Sequence, residues 1–381
     1  MSNRPVDVLA AGPPPTDPYE PAASAWALAV GLRDRGHSVR VLYPPGPDAG
    51  PVPTGIAGEP VVVPRRRPGA AIEPADFARS AGHQVRPEAM LVVRDPAGLG
   101  PLPLGRHPPG RRVVAMVRGI ALEEFERERS GRSGTGVLDR LDVWRDRRAV
   151  RRLERAALAG ADQIFSESSE LTEAIVRGYR FAREGIRPTD PPVAPGPDPP
   201  ARDAARGALG VPTDVNLVTA VASTEDPEAA GIDLARDGFR RIRPLFPGIR
   251  LVVVGAPAPT EPGVHAVTDR DRTTFVRALA AADVAIFLPR TPGFDPGVVL
   301  ALRQGVAPVV RPTVRLPGDP SSAVRRLPND DPGELSSAIA ELIADPAGRR
   351  ALVENGRAYA ERFLPERVAS DLVPPDRSAS A

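Results

Sequence analysis

The chain has 381 residues, 41% of them hydrophobic, and a formal net charge of +2. That is enough for two or three domains at about 150 residues each, and the charge is too small to point to nucleic acid. There is no cysteine and no lysine, so all 50 basic residues are arginine, which excludes disulfides, thiolate metal sites, Schiff-base chemistry and a Walker A phosphate loop. The four histidines (His37, His83, His107 and His265) show no metal-ligand spacing, so no metal and no cofactor is expected. With no apolar run near about 18 residues and no leader-like start, the expected location is the cytoplasm.

Apolar strand-like runs then alternate with helical patterns, the signature of parallel α/β layers. The strands of the first half are "VDVLA" (6–10), "SVRVLY" (38–43), "PVVVP" (60–64), "MLVVRD" (90–95), "VVAMV" (113–117) and "DQIFSE" (162–167). "AASAWALAVGLRDRG" reads as a helix stopped by Gly36. "GRSGTG" (131–136) follows no strand, so it is a loop rather than a dinucleotide fingerprint. The arginine-rich helix 137–158 carries a basic stripe (Arg140, Arg147, Arg151, Arg155) and an apolar one (Val143, Val150, Leu153, Ala157). Such a helix packs its apolar side on a sheet or lies on a membrane surface.

"RPTDPPVAPGPDPP" (187–200) interrupts the alternation with seven prolines. A second series follows: "VNLVTAV" (215–221), "RLVVVG" (250–255), "VHAV" (264–267), "VAIFLP" (284–289) and "APVVRP" (307–312). Two α/β halves joined by a proline linker suggest a cleft between domains, where ligands of such folds sit. After "VAIFLP" comes "GFDPGVVLALRQG", in which Asp295 is the expected N-cap and Pro296 the first helical residue.

The pieces "ALAVGLRDRGHSVRVL", "LERAALAGADQIFSESSELTEAI", "ARGALGVP", "FPGIRLVVVG", "LAAADVAIFLP" and "DDPGELSSAIAELIADPAGRRALVENGRAYAERF", in this order, resemble retaining glycosyltransferases of the GT-B type, in the group-4-like family. The resemblance covers nearly the whole chain. It implies an α/β fold of two Rossmann-like domains facing across a cleft: an acceptor-side domain (1–186), a linker (187–205), a nucleotide-sugar-side domain (206–350) and a C-terminal helix crossing back (351–381). It also implies a metal-independent reaction and a nucleotide sugar as partner.

Residue by residue, the chain departs from the family. The two glutamates separated by seven residues, which contact the donor sugar and the ribose, fall on Pro292 and Leu300. The phosphate-binding arginine and lysine fall on Ser223 and Ala230, just before Gly231, and the N-terminal histidine falls on Arg118. "YEPAAS" stands where the family has a glycine pair. The remaining donor-side candidates are Arg290, Gly293, Phe294 and Asp295 around the turn, and Arg315 after "APVV". Each charged hydrogen bond to a diphosphate is worth roughly 1.5–3 kcal/mol, so losing both basic partners weakens donor binding by about 10²–10⁴-fold. The same groups stabilise the leaving diphosphate. Two function classes follow. One is a divergent glycosyltransferase acting on a glycan, lipid or metabolite. The other is a non-catalytic homologue serving as partner or regulatory subunit of an active glycosyltransferase. A sugar-nucleotide epimerase is a distant third.

Overall fold

The computed structural model describes residues 5–20, 22–46, 49–63, 77, 80–81, 83–94, 111–119, 147–148, 150–152 and 154–373. They form two compact units. Unit 1 comprises Met1–Pro15, Pro21–Ala194 and Pro365–Ala381, and unit 2 comprises Thr16–Glu20 and Pro195–Leu364.

Short apolar runs form the sheet of unit 1, and its central strands β1, β4 and β5 are buried along their whole length because a parallel sheet is covered on both faces. Its strands are β1 (Val6–Leu9), β2 (Val39–Tyr43), β3 (Ala57–Pro60), β4 (Met90–Arg94), β5 (Val113–Val117), β6 (Gln163–Ser166) and β7 (Ile186–Pro188). They lie in the order β3-β2-β1-β4-β5-β6-β7, every pair parallel. Helix α1 (Ala23–Asp34) follows β1 and closes before Gly36, which takes φ +86°. Helix α2 (Ser169–Tyr179) is capped by Ser168, whose hydroxyl accepts from the Leu171 N–H.

Unit 2 repeats the scheme. It contains α3 (Arg202–Ala208), β8 (Leu217–Val221), α4 (Ile232–Ile242), β9 (Arg250–Val254), β10 (Val264–Val267), α5 (Arg272–Ala281) and β11 (Val284–Phe287). Then come α6 (Pro296–Gln304), β12 (Ala307–Val310), β13 (Arg325–Arg326), α7 (Pro332–Ala344) and α8 (Pro346–Ala360). The strand order is β10-β9-β8-β11-β12-β13, again all parallel. Both orders reverse direction beside the first strand, as in doubly wound sheets that bind ligands at their carboxyl edge.

Three strands differ from the sequence expectation. The third strand of unit 1 lies at Ala57–Pro60, not at 60–64. Only Val61 of the valine run still donates to the ladder, to the Tyr43 carbonyl at 2.8 Å. Val61 and Val63 instead pack into the core beside Leu9, Leu42 and Phe77, while Val62 is exposed. The edge strands β7 and β13 were not expected, since "IRP" and "RR" carry no apolar alternation. The "GRSGTG" loop and residues Arg140, Val143 and Leu153 of the basic helix lie outside the described residues. Of that helix, Arg147, Arg151 and Arg155 are exposed, and buried Glu154 accepts a hydrogen bond from the Tyr179 hydroxyl. Among the described residues no helix is long and apolar enough to cross a membrane.

One face of the first sheet is covered by α1 and by the last helix, α9 (Pro365–Leu372), through Leu28, Leu32, Val368 and Leu372. The two helices approach backbone to backbone at Gly31, where an added Cβ would stand 2.1 Å from the Pro365 carbonyl oxygen. Gly31→Ala must therefore push the helices apart. Urea denaturation should show a loss of about 1–3 kcal/mol, the usual cost of overpacking, although alanine is the better helix former.

Candidate functional site

The carboxyl edge of the second sheet gathers the donor-side candidates. After β8 the chain loops to α4, whose N-cap is Gly231 at φ +75°. Glycine is required there twice over. The left-handed conformation disfavours side chains, and a Cβ would stand 2.1 Å from the Leu288 carbonyl oxygen. The loops after β8 and β11 are joined by the Arg290 N–H, which donates to the Ala229 carbonyl at 2.8 Å. The loops after β11 and β12 are joined at Gly293, whose N–H donates to Thr313 O (3.1 Å) and whose carbonyl accepts from the Arg315 N–H (2.8 Å).

Asp295 caps α6, its Oδ1 accepting from the Gly297 N–H at 2.9 Å and from the Tyr19 hydroxyl at 3.0 Å. Only 3% of this residue is exposed, and Oδ2 has no hydrogen-bond partner among the described residues. Burial pushes the Asp295 carboxyl up to about 6, against the pull of the Tyr19, Gly297 and Val298 hydrogen bonds. Burial and the facing Asp295 also raise the Tyr19 hydroxyl well above its ordinary range.

Beside this pair, Arg270 spans the ends of β8 and β9. Its guanidinium donates to the carbonyls of Gly255 (2.8 Å), Ala222 and Ser223 (both 3.3 Å) and, through Nε, to Asp17 Oδ2 at 2.7 Å. The same guanidinium lies over the rings of Tyr19 and Phe275, which meet edge-on at 5.4 Å. Burial raises the Asp17 carboxyl, and the Tyr19 N–H and Arg270 draw it back. Asp17, Tyr19, Arg270 and Phe275 were not singled out from the sequence. A signal did exist in "YEPAAS", where bulky Tyr19 stands at the place of an expected glycine pair.

The sequence candidates divide by what they can present. Ala230 (1% exposed) and Leu300 (2%) are buried, so neither offers a polar group beyond its backbone. Pro292 is exposed. Phe294 packs against Phe363 with ring centroids 5.6 Å apart. Arg290, 46% exposed, is ion-paired to Asp233 at 2.7 Å. The Ser223 side chain is half-buried and that of Arg315 is exposed. Arg118 is exposed just after β5, in unit 1. At the carboxyl edge of that unit, Arg94 forms a buried ion pair with Glu167 and donates to the Ser24 hydroxyl. Among the described residues no group of histidine, aspartate or glutamate could hold a metal ion.

No family model matches the chain, and no curated protein matches it. Solved structures do. WaaG, a glycosyltransferase involved in lipopolysaccharide biosynthesis, is 18% identical with a TM-score of 0.66, over 97% of this chain and 100% of its own. Sucrose-phosphate synthase from Thermosynechococcus elongatus is 17% identical, TM-score 0.69, over 97% of each chain. HepE from Anabaena, solved with UDP and glucose, is 15% identical, TM-score 0.69, over 99% of this chain and 100% of its own. The fold is GT-B. At these identities the likeness is one of architecture, and it runs through both units.

Asp295→Asn keeps an acceptor for Gly297 and Tyr19 while removing the buried charge. Because the folded carboxyl sits at about 6, above its unfolded value, its contribution is fully present below about pH 4 and is lost as pH rises through about 6. The variant should melt higher than the parent near pH 7.5, by about 1–3 kcal/mol of stability. Its melting temperature should also vary less between about pH 4 and 7, as scanning calorimetry would show.

Proposed function

We propose that the chain is a glycosyltransferase that holds a nucleotide sugar on unit 2 and passes the sugar to a glycan, lipid or metabolite acceptor. The observation that carries this reading is the GT-B architecture over at least 97% of the chain, shared with the HepE structure that contains UDP and glucose. The starch synthase IV catalytic domain, 15% identical with a TM-score of 0.64, was solved with ADP and acarbose. In this chain the diphosphate would meet the first turn of α4, which has no side-chain cap and presents the positive end of the helix dipole, although the Ile232 N–H is taken by the Pro227 carbonyl at 2.9 Å. Of the basic residues in the sequence-derived set, Arg290 is held at that turn by Asp233, and the exposed Arg315 lies in the loop after β12.

With Ser223 and Ala230 at the family's basic positions, donor affinity is low. With Pro292 and Leu300 at its carboxylate positions, turnover is slow. Millimolar UDP-, GDP- or ADP-sugars should therefore shift the melting temperature little, because a ligand near its Kd adds under about 1 kcal/mol. Arg315→Ala should weaken whatever binding calorimetry finds by about tenfold. A micromolar Kd that survives this substitution would remove Arg315 from the site. Binding without transfer or hydrolysis of any donor would favour a partner or regulatory subunit instead.

A further inference from the structure

Thr16–Glu20 comes from the loop after β1 but belongs to unit 2. The segment is folded on itself. Glu20 Oε1 accepts from the Thr16 and Asp17 N–H groups (3.2 and 3.1 Å), and Asp17 Oδ1 accepts from the Tyr19 N–H at 2.8 Å. Thus preshaped, it docks at four points: the Arg272 N–H donates to the Thr16 carbonyl at 3.0 Å, Asp17 pairs with Arg270, the Tyr19 ring packs on Phe275, and the Tyr19 hydroxyl reaches Asp295. The seat for Tyr19 exists only because residue 297 is glycine, since a Cβ there would stand 2.0 Å from the tyrosine oxygen.

The docked groups have the chemistry of a nucleotide. A planar ring lies against an aromatic side chain under a guanidinium, an anion sits on that guanidinium, and a hydroxyl donates to a carboxylate. They occupy the carboxyl edge of β8 and β9 and the start of α6, the switch point at which doubly wound sheets take such ligands. We propose that Thr16–Glu20 is an intramolecular plug, holding on Arg270, Phe275 and Asp295 the place of a nucleoside diphosphate, which must displace it to bind. This rests on the reading of unit 2 as the nucleotide side. In the docked arrangement Asp17 is half-buried and Asp295 buried, and burial disfavours their charged forms. A ligand bringing its own anion to Arg270 therefore replaces the plug without changing the charge on the guanidinium.

The test uses the full chain and the variant Asp17→Ala/Tyr19→Phe. Hydrogen–deuterium exchange at the Arg272 amide, which donates to Thr16, reports whether the plug is docked, and calorimetry with UDP, GDP and ADP separately reports binding. The expected result is faster exchange in the double variant and binding of one diphosphate tightened by about tenfold or more, with the gain abolished by adding Arg270→Ala. Faster exchange with unchanged, measurable nucleotide binding overturns the plug and leaves the nucleotide site standing. Faster exchange with no binding of any diphosphate overturns the plug and counts against the nucleotide reading as well. Unchanged exchange shows that these contacts do not hold the segment, which also overturns the proposal. Should the double variant fail to fold, the parent protein decides the matter: saturating diphosphate must speed exchange at Arg272, and slower or unaltered exchange sinks the idea.

Discussion

Both sheets depend on one device: an aspartate, half of a loop-to-strand contact, that satisfies the backbone N–H where a parallel strand begins. A parallel ladder leaves the first N–H of a strand without a strand partner, and a buried unpaired N–H is costly. Asp162, just before β6, accepts from the Val113 N–H that opens β5, at 2.7 Å. Asp283, just before β11, does the same for Leu217 at the head of β8, at 2.8 Å. Arg206, itself buried, fixes Asp283 at 2.9 Å and spends its other donors on the carbonyls of Ala281, Thr213 and Val215. Asp7, fully buried in β1, is held in the forks of Arg40 and Arg86. Arginine suits these posts because its planar fork pairs bidentately and stays charged when buried. A chain without lysine thus has a ready supply of the right cation.

With the amino edges sealed, freedom is left to the carboxyl edges. There the loops are laced by backbone hydrogen bonds that do not depend on side-chain identity, Arg290 to Ala229 and Gly293 to Thr313 and Arg315, and by one close approach that only glycine allows, Gly231 beneath the Leu288 carbonyl. This lacing keeps the loops after β8, β11 and β12 together at one edge of the sheet. Arg311 adds to the lacing by donating to the Leu288 carbonyl at 3.2 Å and pairing with Asp330.

The electrostatics of unit 2 follow from that lacing. Cations at the carboxyl edge are engaged by acids of the same chain, Arg290 by Asp233 and Arg270 by Asp17. The only acid at the start of α6, Asp295, is buried under Tyr19. Surface pairs such as Arg290–Asp233 contribute little to stability, so a ligand can exchange them at low cost. The half-buried Arg270–Asp17 pair is more tightly built, because Arg270 also donates to three backbone carbonyls.

The sequence by itself determined the α/β class, most of the strands and the helix stops, because those rest on local patterns: short β-branched runs, a glycine at Gly36, a cap at Asp295. It also determined what is missing, since the absence of cysteine and lysine needs no coordinates. It misplaced β3 because the choice between Ala57–Pro60 and the valines after it is made by pairing with β2, not by apolarity. Of the candidate site, the backbone positions were legible and the side-chain partners were not. Only the tertiary structure could bring Tyr19 to Asp295, 276 residues away, or Asp17 to Arg270, 253 residues away. Strand and helix signals act over a few residues, whereas the meeting of loops at a sheet edge is set by strand order and close packing, which no local pattern encodes.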